Sequence, residues 1–267
     1  MGKRVWTSKN ADKYELYENA VQCVEADIDF LDKIYKERNG KLPTTLREDF
    51  CGTFAASVEF VRRRTGNRAW AVDIDSSVLE WEKKRHAKRL GNCKSSLTVI
   101  ESDVLTCKTP RVDAIFAMNF SYMIFKRREE LKAYFNSVYK SLKKNGMFFI
   151  DLMGGWETQQ IQRDKRKKKG FTYVWDQHDY NPITHEVINY IHFYFPDGTK
   201  LLRAFEYHWR LWTLRELTDL FEETGFRFIQ AYWEGWDEKQ KEGDGVFLSV
   251  QKGENCPAWV AYIVCQR

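Results

Sequence analysis

Between Thr44 and Met153 the chain keeps switching its hydrophobic period, and this alternation restricts its fold more than any other feature. Short apolar runs, "RAWAVDID" (68–75), "SLTVIESDVL" (96–105), "VDAIFAMNF" (112–120) and "MFFIDLM" (147–153), read as strands. Residues 76–90 read as a helix, and so does "REELKAYFNSVYKSLKKNG", where Leu131, Tyr134, Phe135, Val138 and Leu142 share one face. The 147–153 run is apolar at nearly every position, as a strand buried on both faces requires. Strands alternating with helices predict a mostly parallel sheet with helices on both faces, an α/β fold.

The flanks add to this plan. Val21, Val24, Ile28, Leu31 and Tyr35 sit at helical spacing within 17–38, and "NG" at 39–40 ends that helix. After Gly155 the pattern changes. A charged stretch, "QRDKRKKKG" (162–170), reads as a solvated loop, and three strand-like runs follow it. "NPIT" joins the first two runs, and "PDG" at 196–198 marks a hairpin turn. This predicts a small antiparallel β insertion over 156–212, between a core of 1–155 and its continuation over 213–267. Thr213 and Glu216 form a capping-box signature ahead of the next helix. The last two runs, "RFIQAYWEG" and "WVAYIVCQR", read as an antiparallel pair joined by a polar loop over 237–255.

Composition narrows the function classes. A formal net charge of +5 (43 Lys+Arg against 38 Asp+Glu) is too mild to argue for nucleic acid on its own. The lysine run lacks neighbouring aromatics in the sequence that would stack bases. None of the six cysteines forms a C-x-x-C pair, and no two of His86, His178, His185 and His192 have ligand spacing, so no metal is expected. Scattered free thiols, a polar start without an apolar leader, and no long apolar run suggest a cytoplasmic protein without a membrane span. The Met1-Gly2 start lacks the rest of a myristoylation signal, since residue 6 is Trp.

The stretch "TTLREDFCGTFAASVEF" (44–60) carries the functional argument. An open parallel sheet binds its ligand at the carboxyl ends of its strands. Acidic residues fall at such ends: Glu48 and Asp49, Asp73 and Asp75, and Asp103. Asp73 follows Gly52 by about twenty residues, the separation of a ribose-binding acid from its turn. A pyrophosphate-binding turn would be glycine-rich, yet here one glycine stands beside two carboxylates. A nucleoside with a cationic tail suits such a turn, and S-adenosyl-L-methionine has a ribose, a sulfonium and an ammonium.

"LREDFCGTF" resembles motif I of the class I S-adenosylmethionine-dependent methyltransferases, with Phe54 where a final glycine usually stands. "AVDID", "ESDVL", "DAIFAMNFSY" and "LKKNGMFFIDL" are similar to the family's following motifs, in order, across 44–153. The resemblance implies a Rossmann-like seven-stranded sheet with an antiparallel β cap, as in small-molecule members. It also implies a cofactor site of Glu48, Cys51, Gly52, Thr53, Asp73, Ile74, Asp103, Val104, Asn119 and Phe120. Tyr14 and Tyr17, in an N-terminal segment that often folds over the cofactor, are further candidates, with ordinary packing as their alternative. Cys51 is expected to contribute backbone only.

For the acceptor side, Asn119–Tyr122 lies at the end of the fourth strand, without the prolines of the Asn-Pro-Pro-Tyr motif that marks amino-methylating nucleic-acid enzymes. Tyr122 and His208 are the candidate bases, and Tyr122, Tyr207 and Arg210 the candidate substrate contacts. Strand alternation puts His208 and Arg210 on one face and Tyr207 on the other. The density of Tyr and Trp over 173–212 suggests a small amine acceptor, since aromatic faces attract cations. A protein or RNA methyltransferase, and a nucleoside-binding module without turnover, are the alternatives.

Overall fold

The computed structural model describes residues 6–237 and 242–267; the side chains of 84, 86–90, 92, 94 and 242 are not described. The Met1-Gly2 start and the His86 side chain lie outside the described set.

In chain order the elements are α1 (Lys13–Val21), α2 (Val24–Asn39), β1 (Thr45–Asp49), α3 (Ala55–Arg63), β2 (Arg68–Asp73), α4 (Ser76–Leu90), β3 (Leu97–Glu101), β4 (Val112–Ala117), α5 (Arg128–Ser141) and β5 (Leu142–Gly154). They continue with β6 (Gln162–Lys168), β7 (Phe171–Asn181), β8 (Glu186–Tyr194), β9 (Lys200–Arg210), α6 (Leu214–Thr224), β10 (Phe228–Asp237), β11 (Glu242–Ser249) and β12 (Trp259–Gln266). Two compact units result. One joins the N-terminal segment through Gln22 with Met123–Lys126 and Trp156–Trp212; the other comprises Cys23–Tyr122, Arg127–Gly155 and Thr213–Arg267.

The larger unit is built on an eight-stranded sheet of order β11-β10-β12-β5-β4-β1-β2-β3. Strands β1 to β5 run parallel, and β12, β10 and β11 add antiparallel. β4 is buried at all six positions, which explains its mainly apolar sequence; its one acid, Asp113, accepts from the Thr44 and Thr45 N–H groups and pairs with Lys143 at 3.0 Å. Leu131, Tyr134, Phe135 and Val138 of α5 are buried, as their spacing predicts, and Phe135 stacks on Phe221 of α6 at 4.3 Å between centroids. The Thr213–Glu216 capping box forms at the start of α6.

The smaller unit is an antiparallel sheet of order β6-β7-β8-β9, with Leu16 of α1 buried among Phe171, Tyr173, Ile191, Phe193 and Phe195.

Three expectations are corrected. The lysine run is a strand and not a loop: β6 pairs with β7 from Gln162↔Gln177 to Lys168↔Phe171. Its charge hid it, because an edge strand exposed along its length needs no apolar alternation, and lysines there discourage further pairing. The supposed loop over 237–255 contains β11, which gives eight strands where seven were expected. Glycines disguised it; a Cβ on Gly243 would meet the Glu234 carboxylate at 2.3 Å, so the strand there has no room for a side chain. Finally, the single helix expected over 17–38 breaks at Gln22–Cys23, where the backbone turns extended. The two halves serve separate cores: Leu16 is buried in the smaller unit, and Ile28, Leu31, Ile34 and Tyr35 in the larger.

Candidate functional site

The turn after β1 is held by the strand beside it. Cys51 N–H donates to the Val72 carbonyl at 3.0 Å, and Gly52 N–H to Asp73 Oδ2 at 2.7 Å. Phe50, Gly52 and Phe54 all take positive φ, at 54°, 49° and 39°. Phe54 thus keeps the backbone form a glycine would prefer there, its ring buried and its N–H donated to the Cys51 carbonyl. A Cβ built on Gly52 meets nothing within 4 Å, so the space above this glycine is open. Cys51 and Thr53 are buried, and burial pushes the Cys51 thiol well up, which leaves it inert.

Asp73 ends β2 with its two oxygens divided: Oδ2 accepts from Gly52 and Oδ1 from Asp75 N–H at 2.9 Å. The Ile74 backbone also donates to this carboxylate, whose roughly four lone-pair sites still leave capacity for a further donor. Capping of α4 falls to Asp75, whose Oδ1 accepts from Ser77 N–H at 2.9 Å. Ile74, next in line, is 71% exposed, an apolar side chain standing free beside the turn. After β3, Asp103 Oδ1 accepts from Leu105 N–H at 2.8 Å and Val104 is buried.

The two carboxylates that close β1 separate. Asp49 belongs to a buried set on one face of the sheet. Arg47, 0% exposed, meets it with Nη2 at 2.8 Å from Oδ2 and Nε at 2.7 Å from Oδ1, and the Tyr134 hydroxyl donates to Oδ2 at 3.0 Å. Strand alternation sends Glu48 the other way. Its Oε2 accepts Ser57 N–H from the first turn of α3 at 2.7 Å, yet burial lifts its pKa to about 7.

Glu48 has company that the sequence reading missed. Burial also raises Asp151 on β5 to about 7, Asp27 on α2 to about 6, and Asp73 above its ordinary value. Asp73 and Asp27 each add repulsion to Glu48, and Asp27 adds it to Asp151. Tyr262 donates to Asp27 Oδ1 at 2.7 Å. These four acids gather near the carboxyl ends of β1, β2 and β5, and among the described residues hydrogen bonds are what hold them, not ion pairs. One signal for Asp151 was present in the sequence: a lone acid inside "MFFIDLM" must find donors if both faces of the strand are covered.

Those donors lie where β4 leaves the sheet. Asn119 N–H donates to Asp151 Oδ2 and Phe120 N–H to Oδ1, both at 2.8 Å. Asn119 and Phe120 have φ of 61° and 58°. Two consecutive left-handed non-glycine residues cost on the order of 1–3 kcal/mol each. Two hydrogen bonds to a carboxylate return roughly 1.5–3 kcal/mol each, enough to offset that strain.

The remaining candidates fall elsewhere. Tyr122 follows this turn but is fully buried, its hydroxyl unpartnered among the described residues. Burial and nearby Asp151 push its pKa well up, which argues against a base there. His208 lies exposed on β9, 2.6 Å from Glu206 Oε1. Arg210 donates to the Lys126 carbonyl at 3.1 Å and stacks on Trp212 at 3.7 Å, so its guanidinium is engaged within the smaller unit. Tyr207 shares the opposite face with Trp209, 4.5 Å between centroids, and its hydroxyl bonds Tyr17. Tyr14 and Tyr17 pack on Phe205 at 6.0 and 5.0 Å, the packing role that was their alternative. Much of the aromatic density is likewise core: Tyr173, Tyr190, Trp209 and Trp212 are buried.

No protein-family profile matches the sequence, and no curated protein does. Solved structures do match. An S-adenosylmethionine-dependent methyltransferase of Clostridium acetobutylicum aligns at TM-score 0.71 and 17% identity, over 95% of this chain and 96% of that one. An amino pentose methyltransferase of Micromonospora echinaspora, solved with its S-adenosylmethionine, aligns at 0.68 and 13%, over 100% of both chains. A sugar N-methyltransferase of a Streptoalloteichus species aligns at 0.64 and 14%, over 100% of this chain and 97% of that one. The chain therefore has the class I methyltransferase fold: a Rossmann-like, mostly parallel sheet with an antiparallel four-stranded insertion. Among the described residues, no helix is long and apolar enough to cross a membrane.

Proposed function

We propose that this chain binds S-adenosylmethionine and transfers its methyl group to a small-molecule amine in the cytoplasm. The observation that carries this reading is the set of Asp27, Glu48, Asp73 and Asp151, buried (Glu48, Asp151) or partly buried (Asp27, Asp73), raised in pKa and gathered at the ligand end of the sheet. Buried acids without a counterion are costly unless a cation completes them. The open space above Gly52 and the exposed Ile74 fit the rest of the molecule.

When bound, the cofactor supplies a methyl group on a sulfonium that is already activated for displacement. The free lone pairs of Asp73 take the ribose hydroxyls, and Ile74 offers the adenine an apolar face. Asp103 serves the adenine amino group, while Glu48 and its neighbours favour the cationic end. The Asn119–Phe120 turn lies toward the acceptor. The protein's work is then alignment and exclusion of water. With Tyr122 buried and His208 exposed, neither is assigned as base; an amine must arrive neutral, so the rate is expected to rise with pH. An amine acceptor is favoured by the neighbours described as amino pentose and sugar N-methyltransferases.

Titration calorimetry with S-adenosylmethionine and S-adenosylhomocysteine, with a chelator present, is expected to show binding. Absence of heat at millimolar ligand would end this reading. Turnover of labelled cofactor with amines, phenols, carboxylates, peptides and RNA then separates an enzyme from a binding module and names the acceptor class. Asp73→Ala is expected to weaken the cofactor about ten- to hundred-fold, since hydrogen bonds to a charged group are worth roughly 1.5–3 kcal/mol. Because Asp73 also holds Gly52 N–H, a slightly lower melting temperature is expected as well. An unchanged dissociation constant would remove Asp73 from the site.

A further inference from the structure

We propose that Asp151 is a positioning residue that sets the shape of the Asn119–Phe120 turn beside the bound cofactor, and that it does so only as a carboxylate. The proposal rests on the methyl-transfer reading for the turn's purpose, but its structural part stands on geometry alone. β4 pairs with β5 as far as Ala117↔Ile150, so Asp151 is the first β5 residue beyond that pairing. At this point β4 turns away through two left-handed residues, and their N–H groups converge on one carboxylate, one oxygen each. Successive amides presented in this way form an anion-binding concavity. A side chain of the same protein occupies it here.

Charge state decides whether the clamp holds. An ionised carboxylate has two acceptors for the two donors. Once protonated, one oxygen carries hydrogen, and one amide faces a donor or loses linearity. The two amides favour the ionised form, but burial outweighs them and the side chains that face Asp151 do not help. Asp27 from α2 repels it; Tyr122, after the turn, is buried near it with an unpartnered hydroxyl; Tyr262, opposite it on β12, gives its proton to Asp27. Glu48 is coupled to the same Asp27. A cationic ligand beside these acids would favour the ionised form, so cofactor and turn would order each other.

The test uses the full chain labelled with 15N at asparagine and phenylalanine. In the wild type, the Asn119 and Phe120 amide protons are expected far downfield at alkaline pH, and to move upfield together with one midpoint on acidification. In Asp151→Asn this shared titration should vanish. S-adenosylhomocysteine should bind that variant about tenfold more weakly, a loss of about 1.4 kcal/mol. Adding Asn119→Gly should recover part of the loss, because glycine takes positive φ without strain. A purely structural role elsewhere would not be rescued by that glycine. Wild-type amides that do not shift across this pH range overturn the proposal, even if Asp151→Asn fails to fold. A folded Asp151→Asn with wild-type affinity overturns it too. A wild type that shows the amide titration but binds no S-adenosylhomocysteine overturns the methyl-transfer reading, and with it the turn's role beside a cofactor.

Discussion

Asp49→Ala is expected to lower the melting temperature by about 6–20 °C, the largest single effect in this protein. The variant leaves the Arg47 guanidinium buried at 0% exposure with its partner gone. Breaking a buried ion pair from one side costs about 3–5 kcal/mol. For a chain of this length each kcal/mol moves the midpoint by about 2–4 °C. The Tyr134 hydroxyl also loses its acceptor. The double variant Arg47→Met, Asp49→Ala should recover much of the loss, since a methionine fills the volume without a charge to desolvate. Thermal melts followed by circular dichroism check both. A single variant that melts within about 2 °C of wild type would mean that the pair is hydrated and contributes little.

The second large effect is on cofactor affinity as a function of pH. Asp27 is raised to about 6, and Glu48 and Asp151 to about 7. In the unfolded chain these groups titrate near their ordinary values, 3.8 for Asp and 4.5 for Glu. Between the two sets of values the folded chain holds protons that the unfolded chain has lost. The stability of the free protein therefore falls as pH rises from about 4 to about 7, and this contribution is gone above it. A cationic ligand prefers the ionised acids, so its binding releases protons and tightens as pH rises through the same window. S-adenosylmethionine is expected to bind at least about tenfold more tightly at pH 8 than at pH 5.5. Calorimetry in buffers of different ionisation enthalpy should show proton release near pH 6.5. Uptake of protons, or affinity independent of pH, would show that these acids do not face the ligand's positive end.

Much of the architecture was legible from period alone. Strands buried on both faces need mainly apolar runs, and "MFFIDLM" and "VDAIFAMNF" are such runs, each broken by a single acid; α5 and α6 carry one apolar stripe each. β6 and β11 escaped because an edge strand is stabilised by the backbone of its neighbour. That pairing requires no particular side chain, so lysines and glycines mask it. The same asymmetry holds in the site. Gly52 and Asp73 could be named from their spacing and proved to be joined by a hydrogen bond. Tyr17 and Tyr207 could also be named, yet their hydroxyls are spent on each other within the smaller unit's packing.

What the sequence determined by itself is the order of the apolar core strands and the helices between them, and the acids at the ends of β1 to β3, because backbone period and turn chemistry are local properties. What only the tertiary structure decided is which of those acids stand together. Glu48 and Asp49 are neighbours in the chain, but the pleat sends them to opposite faces, one to Arg47 and the other toward Asp73 and Asp27. Asp27 and Asp151 lie far apart in sequence and repel each other in the folded protein. Burial and charge coupling depend on distance through space, and no local pattern in the chain records that distance.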